Sequence, residues 1–163
     1  MEIRVVLEPL LDQYSVDDMR IILQEQNGAR KIAIKIDESS LVNLATVLGN
    51  VDLRAPLVQA VFFHCVQALQ GDIVKIVVHD IINGFFGTKI FIRDQRIDNV
   101  YSLDINVIDG VTIASICQCP IFIEEEVFNK YSENVKRFKE ESIEKFFDNV
   151  DWNNALSDTK KPR

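Results

Sequence analysis

Residues 100–123 constrain the fold more than any other part of the chain. They read Val-Tyr-Ser-Leu-Asp-Ile-Asn-Val-Ile-Asp-Gly-Val-Thr-Ile-Ala-Ser-Ile-Cys-Gln-Cys-Pro-Ile-Phe-Ile. Apolar runs on either side of a brief polar interval predict a strand, a short turn, a helix and a second strand, all buried. Asp104 and Asp109 punctuate the two ends of the turn. A buried unit with carboxylates at the mouth of its turn is the first place to look for chemistry.

The segments before it supply strands and two helices. Residues 3–7 are a short apolar run, a first strand, and residues 8–17 read as a loop. Residues 19–25 and 30–36 flank Asn27-Gly28, a pair that favours the positive-φ turn of a hairpin. Ile32, Ile34 and Ile36 alternate with Lys31, Ala33 and Lys35, the period of a half-buried strand. Asp37 to Ser40 supply cap residue types, and Leu41, Leu44, Ala45 and Leu48 then form one helical stripe closed by Gly49. Pro56 suits a first helical turn, and Val58, Val61, Phe62, Cys65, Val66 and Leu69 predict a second helix ending at Gly71. Residues 73–78 read as a central strand. Asn83-Gly84 marks a second hairpin, with residues 85–93 as the return strand. Glu124 to Glu126 open a short helix, where acids suit the macrodipole.

The expected class is therefore α+β: a mixed β-sheet with two hairpins, two adjacent helices and the strand–helix–strand unit. At 163 residues and 47% hydrophobic content the chain has material for one core, placed at 1–130. Residues 131–150 form a partly amphipathic helical segment through Val135, Phe138, Ile143, Phe146 and Phe147. Residues 151–163 are a polar tail expected to fray.

Composition narrows the function classes. No apolar run reaches the roughly 18 residues that a membrane span needs. An acid at position 2 and no sustained apolar region at the start argue against a signal peptide. Three cysteines, Cys65, Cys117 and Cys119, are an odd number in a chain that needs no staples, so reduced thiols and a cytoplasmic location are expected. The net charge of −7 lacks the basic footprint of a protein that grips phosphates non-specifically. Edge strands and the apolar face at Phe138, Phe146 and Phe147 predict a homo-oligomer.

The element order and four local patterns resemble the bifunctional nuclease domain family of bacteria and plants. The patterns are Arg30 to Ile36; Arg54-Ala55-Pro56-Leu57; the hairpin around Asn83-Gly84-Phe85-Phe86; and Leu103-Asp104 through Asp109 to Cys119-Pro120-Ile121-Phe122-Ile123. The resemblance implies an α+β domain with DNase or RNase activity, DNA or RNA as partner, and a divalent cation, Mg²⁺ or Mn²⁺. It makes Asp104 and Asp109 the catalytic and metal-ligating pair, because these acids remain where the family carries its own. Other polar positions depart from the pattern. The family's Thr-His-Asp reads Val58, Gln59 and Ala60 here, its Arg-Pro-Ser reads Asn106, Val107 and Ile108, and a Gly reads Asp37.

Two expectations follow. One is a metal-dependent nuclease in which the two carboxylates hold a hard cation that activates water. The other is a non-catalytic interaction or regulatory domain that has kept the scaffold. Each acid also has a structural reading: Asp109 as a helix N-cap or first-turn acid, and Asp104 as a strand-end acceptor. His64 reads as a satisfied helix residue. His79 precedes Asp80, but neighbouring strand residues face opposite ways, so the two are not expected to pair. Cys117 and Cys119 read as small buried hydrophobes or as a soft-metal or redox pair.

Overall fold

The computed structural model describes residues 1–8, 19–49 and 56–131. Its elements in chain order are β1 (Glu2–Leu7), β2 (Arg20–Glu25), β3 (Lys31–Lys35), α1 (Glu38–Val47), α2 (Val58–Ala68), β4 (Gly71–Ile82), β5 (Phe85–Asp94), β6 (Asn99–Ile105), α3 (Val107–Cys117) and β7 (Ile121–Glu124). A further helical segment begins at residue 125. Met1–Asn129 forms one compact α+β unit. The predicted segments 131–150 and 151–163 lie, apart from Tyr131, outside the described residues.

The strands make one mixed sheet in the order β3-β2-β1-β7-β4-β5-β6. Strands β1 to β3 are one antiparallel meander and β4 to β6 another. Strand β7 joins them, antiparallel to β1 and parallel to β4. The chain must leave the edge at β6 to reach that central slot, and α3 makes the crossing.

Alternation puts one face of the sheet against the helices. Ile3, Val5, Ile21, Leu23, Ile32, Ile34, Ile76, Val78, Ile90, Ile121 and Ile123 are buried, and Leu44 of α1 and Val111 of α3 share that core. Gly110 lets α3 come close to the sheet: a Cβ there would stand 3.2 Å from Ile76 and 3.5 Å from Ile105. Asp37 caps α1, accepting from the Ser40 backbone N–H at 2.9 Å, as the cap residue types predict. At the second hairpin Asn83 (φ 51°) and Gly84 (φ 82°) both take the left-handed region, the turn that matches strand twist.

Four features differ from what local patterns alone suggest. Strand β6 is not buried: six of its seven residues are exposed, because β5 is its one partner and it forms the sheet edge. Helix α2 is apolar yet fully buries no side chain, with Val58, Val61 and Leu69 exposed. Pro56 precedes the Leu57 cap position rather than sitting in the first turn, and Gly71 is already in β4 while Gln70 takes the left-handed conformation. The first hairpin forms, but neither Asn27 nor Gly28 has positive φ. Its loop is longer, and Arg30 closes it through a two-pronged bond to Glu25 at 3.0 Å.

Candidate functional site

Asp104 and Asp109 stand on opposite sides of the sheet. In the β5–β6 register Ile105 pairs with Thr88 and Asp104 with Lys89. Thr88 and Ile105 both lie against Gly110 of α3, so that pair faces the helices. Side chains alternate along a strand, so Asp104 and Lys89 face away from them. The Asp104 side chain is 85% exposed, with Lys89 Nζ at 3.6 Å.

Asp109 instead sits in the first turn of α3. The cap there is Asn106, whose side chain accepts from the Ile108 N–H at 2.8 Å. Half-buried Asp109 accepts from Gln59 Nε2 of α2 at 2.9 Å. The Gln59 Oε1 is buried and has no partner among the described residues. The site's own geometry therefore does not fit a divalent cation shared by these two aspartates, and no chemical step is assigned to one.

The face that carries Asp104 has a different cluster. A shallow cavity of about 300 Å³ is lined by Glu2, Val77, His79, Lys89, Phe91 and Glu124. These residues come from four strands, β1, β7, β4 and β5, that lie side by side in the sheet. Glu2 and Glu124 are direct cross-strand partners, a like-charge pairing that costs stability unless a cation intervenes. Lys75 neutralises Glu2, bonding both its oxygens at 2.7 Å while its ammonium stands 4.9 Å from the Phe91 ring centre and 5.6 Å from that of Phe122.

His79 reaches this cavity by the ordinary alternation of β4, two residues on from Val77, and a backbone irregularity follows at once. Val78 pairs with Thr88 and Asp80 with Gly87, so His79 is the extra residue of a β-bulge. Both His79 and Asp80 then lie over Gly87: a Cβ on that glycine would meet His79 Cε1 at 3.1 Å and Asp80 Cβ at 3.4 Å. The expectation that adjacent strand residues diverge fails here, because two residues oppose one. Nothing in the sequence marks the bulge except Gly87, the residue whose missing side chain makes room.

The other candidates are placed as follows. His64 is exposed on α2, its ring 5.5 Å from that of Phe63. Glu124 ends β7, and Glu125 and Glu126 begin the helical segment, where Glu125 meets Arg30 at 3.3 Å. Cys117 ends α3 and Cys119 follows two positions later, after Gln118, both half-buried.

A family model described as the bifunctional nuclease domain matches residues 21–136. The chain belongs to the bifunctional nuclease domain family. In this family member, both the crossing helix and the cavity-bearing face fall within the matched region, Glu2 excepted. Comparison with curated proteins gives no match. As a bifunctional nuclease domain, the chain carries a nuclease-like role at the family level, and its described residues include no helix long and apolar enough to cross a membrane.

Proposed function

We propose that this chain is a nuclease acting on single-stranded DNA or RNA, with the sheet-face cavity rather than the aspartate pair as its reacting site. The observation that carries the reading is the placement of His79. It sets an imidazole beside Lys89, Phe91 and Glu124 in one cavity. Phosphodiester cleavage needs a group to accept a proton from the attacking oxygen and one to return a proton to the leaving oxygen. His79 and Glu124 are residue types suited to those two tasks. Lys89 offers a point charge to a phosphate oxygen, and Phe91 a ring on which a base can stack. A single strand fits better than a duplex, because the charge of −7 provides no broad phosphate-binding surface. Three free cysteines favour a reducing, cytoplasmic setting.

The test is cleavage of single-stranded RNA and DNA oligonucleotides by the full chain, with Mg²⁺, with Mn²⁺ and with chelator. His79→Asn and Glu124→Gln each abolish cleavage if the cavity reacts. Cleavage that survives both, but stops with chelator and with Asp104→Asn, returns the role to a cation at the aspartates.

The second reading is a non-catalytic interaction domain on the same scaffold. It is favoured by one observation: Asp109 is already engaged by Gln59. A second copy of the chain is the partner proposed for it, given the exposed Val58, Val61 and Leu69 on α2 and the edge at β6. Intact substrate under every condition, together with a dimer in sedimentation, would support it.

A further inference from the structure

The charge of −7 is not spread evenly over the chain. Ile3, Val5, Ile21, Leu23, Ile32 and Ile34 are buried on the helix side of the first meander. Alternation therefore turns Arg4, Arg20, Lys31 and Lys35 to the opposite side, and all four are exposed. They are all the basic residues that β1, β2 and β3 contain. Arg20 and Lys35 are direct cross-strand partners, so two positive charges stand side by side. Of the acids beside them, Glu8 is ion-paired with Lys31 and Glu2 with Lys75.

This basic face joins the cavity through an aromatic ring. Arg4 pairs directly with Phe122 across β1 and β7, Phe122 with Val77, and Val77 with Lys89. One transverse row thus runs from Arg4 to Lys89 and ends among the residues that line the cavity. Its three inter-strand steps make it about 14 Å long. Phe122 and Phe91 are both half-buried, with the Lys75 ammonium 5.6 Å from one ring centre and 4.9 Å from the other. Aromatic rings on the outward face of a sheet are where single-stranded nucleic acids stack their bases.

We propose that this face is the track on which a single-stranded substrate lies, with Arg4, Arg20 and Lys35 contacting its phosphates and Phe122 stacking a base next to the reacting site. The choice of ligand rests on the nuclease reading. What is added is the path of the strand, from the cavity over Phe122 and Arg4 toward the sheet edge at β3. The anionic backbone complements the clustered cations, and the bases complement the ring. An acidic peptide would satisfy only the first. A duplex would too, because its bases are already stacked on one another and cannot reach Phe122. The track is narrow, so it is consistent with a chain that has no broad phosphate-binding surface.

The experiment is binding of a fluorescently labelled single-stranded oligonucleotide to the full chain, followed by anisotropy across a KCl series. His79→Asn is the common background, so that the strand stays whole. Arg4→Gln combined with Lys35→Gln should flatten the slope of log affinity against log salt by about 1.4, since each phosphate contact on a single strand contributes about 0.7. Arg96→Gln, which removes a charge from the turn after β5, should leave the slope unchanged. Phe122→Leu should weaken binding about tenfold at every salt concentration, the loss of one stacked base. The track is overturned by a slope that the double variant does not change, by an equal change per charge from Arg96→Gln, or by poly-glutamate competing as well as the oligonucleotide. If Phe122→Leu loses its wild-type circular dichroism, the exposed charge variants decide alone. Cleavage by the wild type beside an unchanged slope would defeat the track and leave the nuclease reading standing. A flattened slope with no cleavage by the wild type would keep the track and defeat that reading.

Discussion

Gln59 of α2 donates its side-chain amide to Asp109 of α3 at 2.9 Å, across fifty positions of sequence. The bond ties the two helices together and occupies the carboxylate. Gln59→Leu removes the donor but also the buried, unpartnered Oε1. Its cost should therefore be near the low end for a lost bond to a charged group, about 1 kcal/mol. Gln59→Glu sets two carboxylates against each other and should cost more at pH 7. Such a pair binds protons more tightly folded than unfolded, so stability should fall as pH rises from about 4 and recover on acidification. Urea unfolding of the three proteins at pH 4 and pH 7 measures both effects.

Gly87 is needed for space, since its φ is not positive. Alanine there would bring a methyl group to 3.1 Å from His79 Cε1. Gly87→Ala should therefore displace the imidazole from the cavity while leaving the strand pairing intact. The change should appear in the His79 ring resonances by NMR, with His64 unmoved. An unshifted His79 signal would mean that the ring already sits clear of Gly87.

Because Asp104 and Asp109 lie on opposite sides of the sheet, their substitutions should act independently. Asp104→Asn removes an exposed partner of Lys89 and should change stability by no more than about 0.5 kcal/mol. Asp109→Asn should cost more, because its carboxylate is half-buried at a helix N-terminus. With Mn²⁺ followed by electron paramagnetic resonance, the double variant should show the sum of the single effects. A non-additive loss of Mn²⁺ affinity would place both groups on one ion.

Asp37→Ala should destabilise the fold by about 1 kcal/mol, the usual cost of removing a helix cap. Bonds from the Ser40 hydroxyl and backbone hold the Asp37 carboxyl below its ordinary pKa of 3.8. Its contribution is thus complete above pH 4 and is lost as pH falls through the lower folded value. Asp37→Asn should keep most of the cap and lose the pH dependence. Thermal unfolding between pH 2 and pH 6 separates the two variants.

Local rules read the local parts of this molecule well. The Ile32, Ile34, Ile36 alternation, the Asp37 cap and the Asn83-Gly84 turn each depend on neighbours within a few residues. The same Asn-Gly pair marks the first hairpin but not its turn type, because a side-chain contact inside that loop decides the backbone there. The Glu25 side chain, drawn in by Arg30, fills the space a Cβ on Gly28 would occupy. An apolar run cannot say whether its strand will be central or at the edge, so β6 was expected to be buried and is not. The site was least legible. Its residues come from four strands, and the bulge that brings Asp80 round beside His79 is set by pairing with β5. Alternation alone gave Asp104 no side of the sheet, and no spacing rule links Gln59 to Asp109.

Strand β7 has four residues and comes last among the described strands, yet it sits between the two meanders. Each meander can zip up from its own hairpins as it leaves the ribosome. Neither can join the other until residues 121–124 have emerged, so nascent chains halted before that point should present two unfinished half-sheets with open inner borders. Joining of the two half-sheets is thus timed by β7.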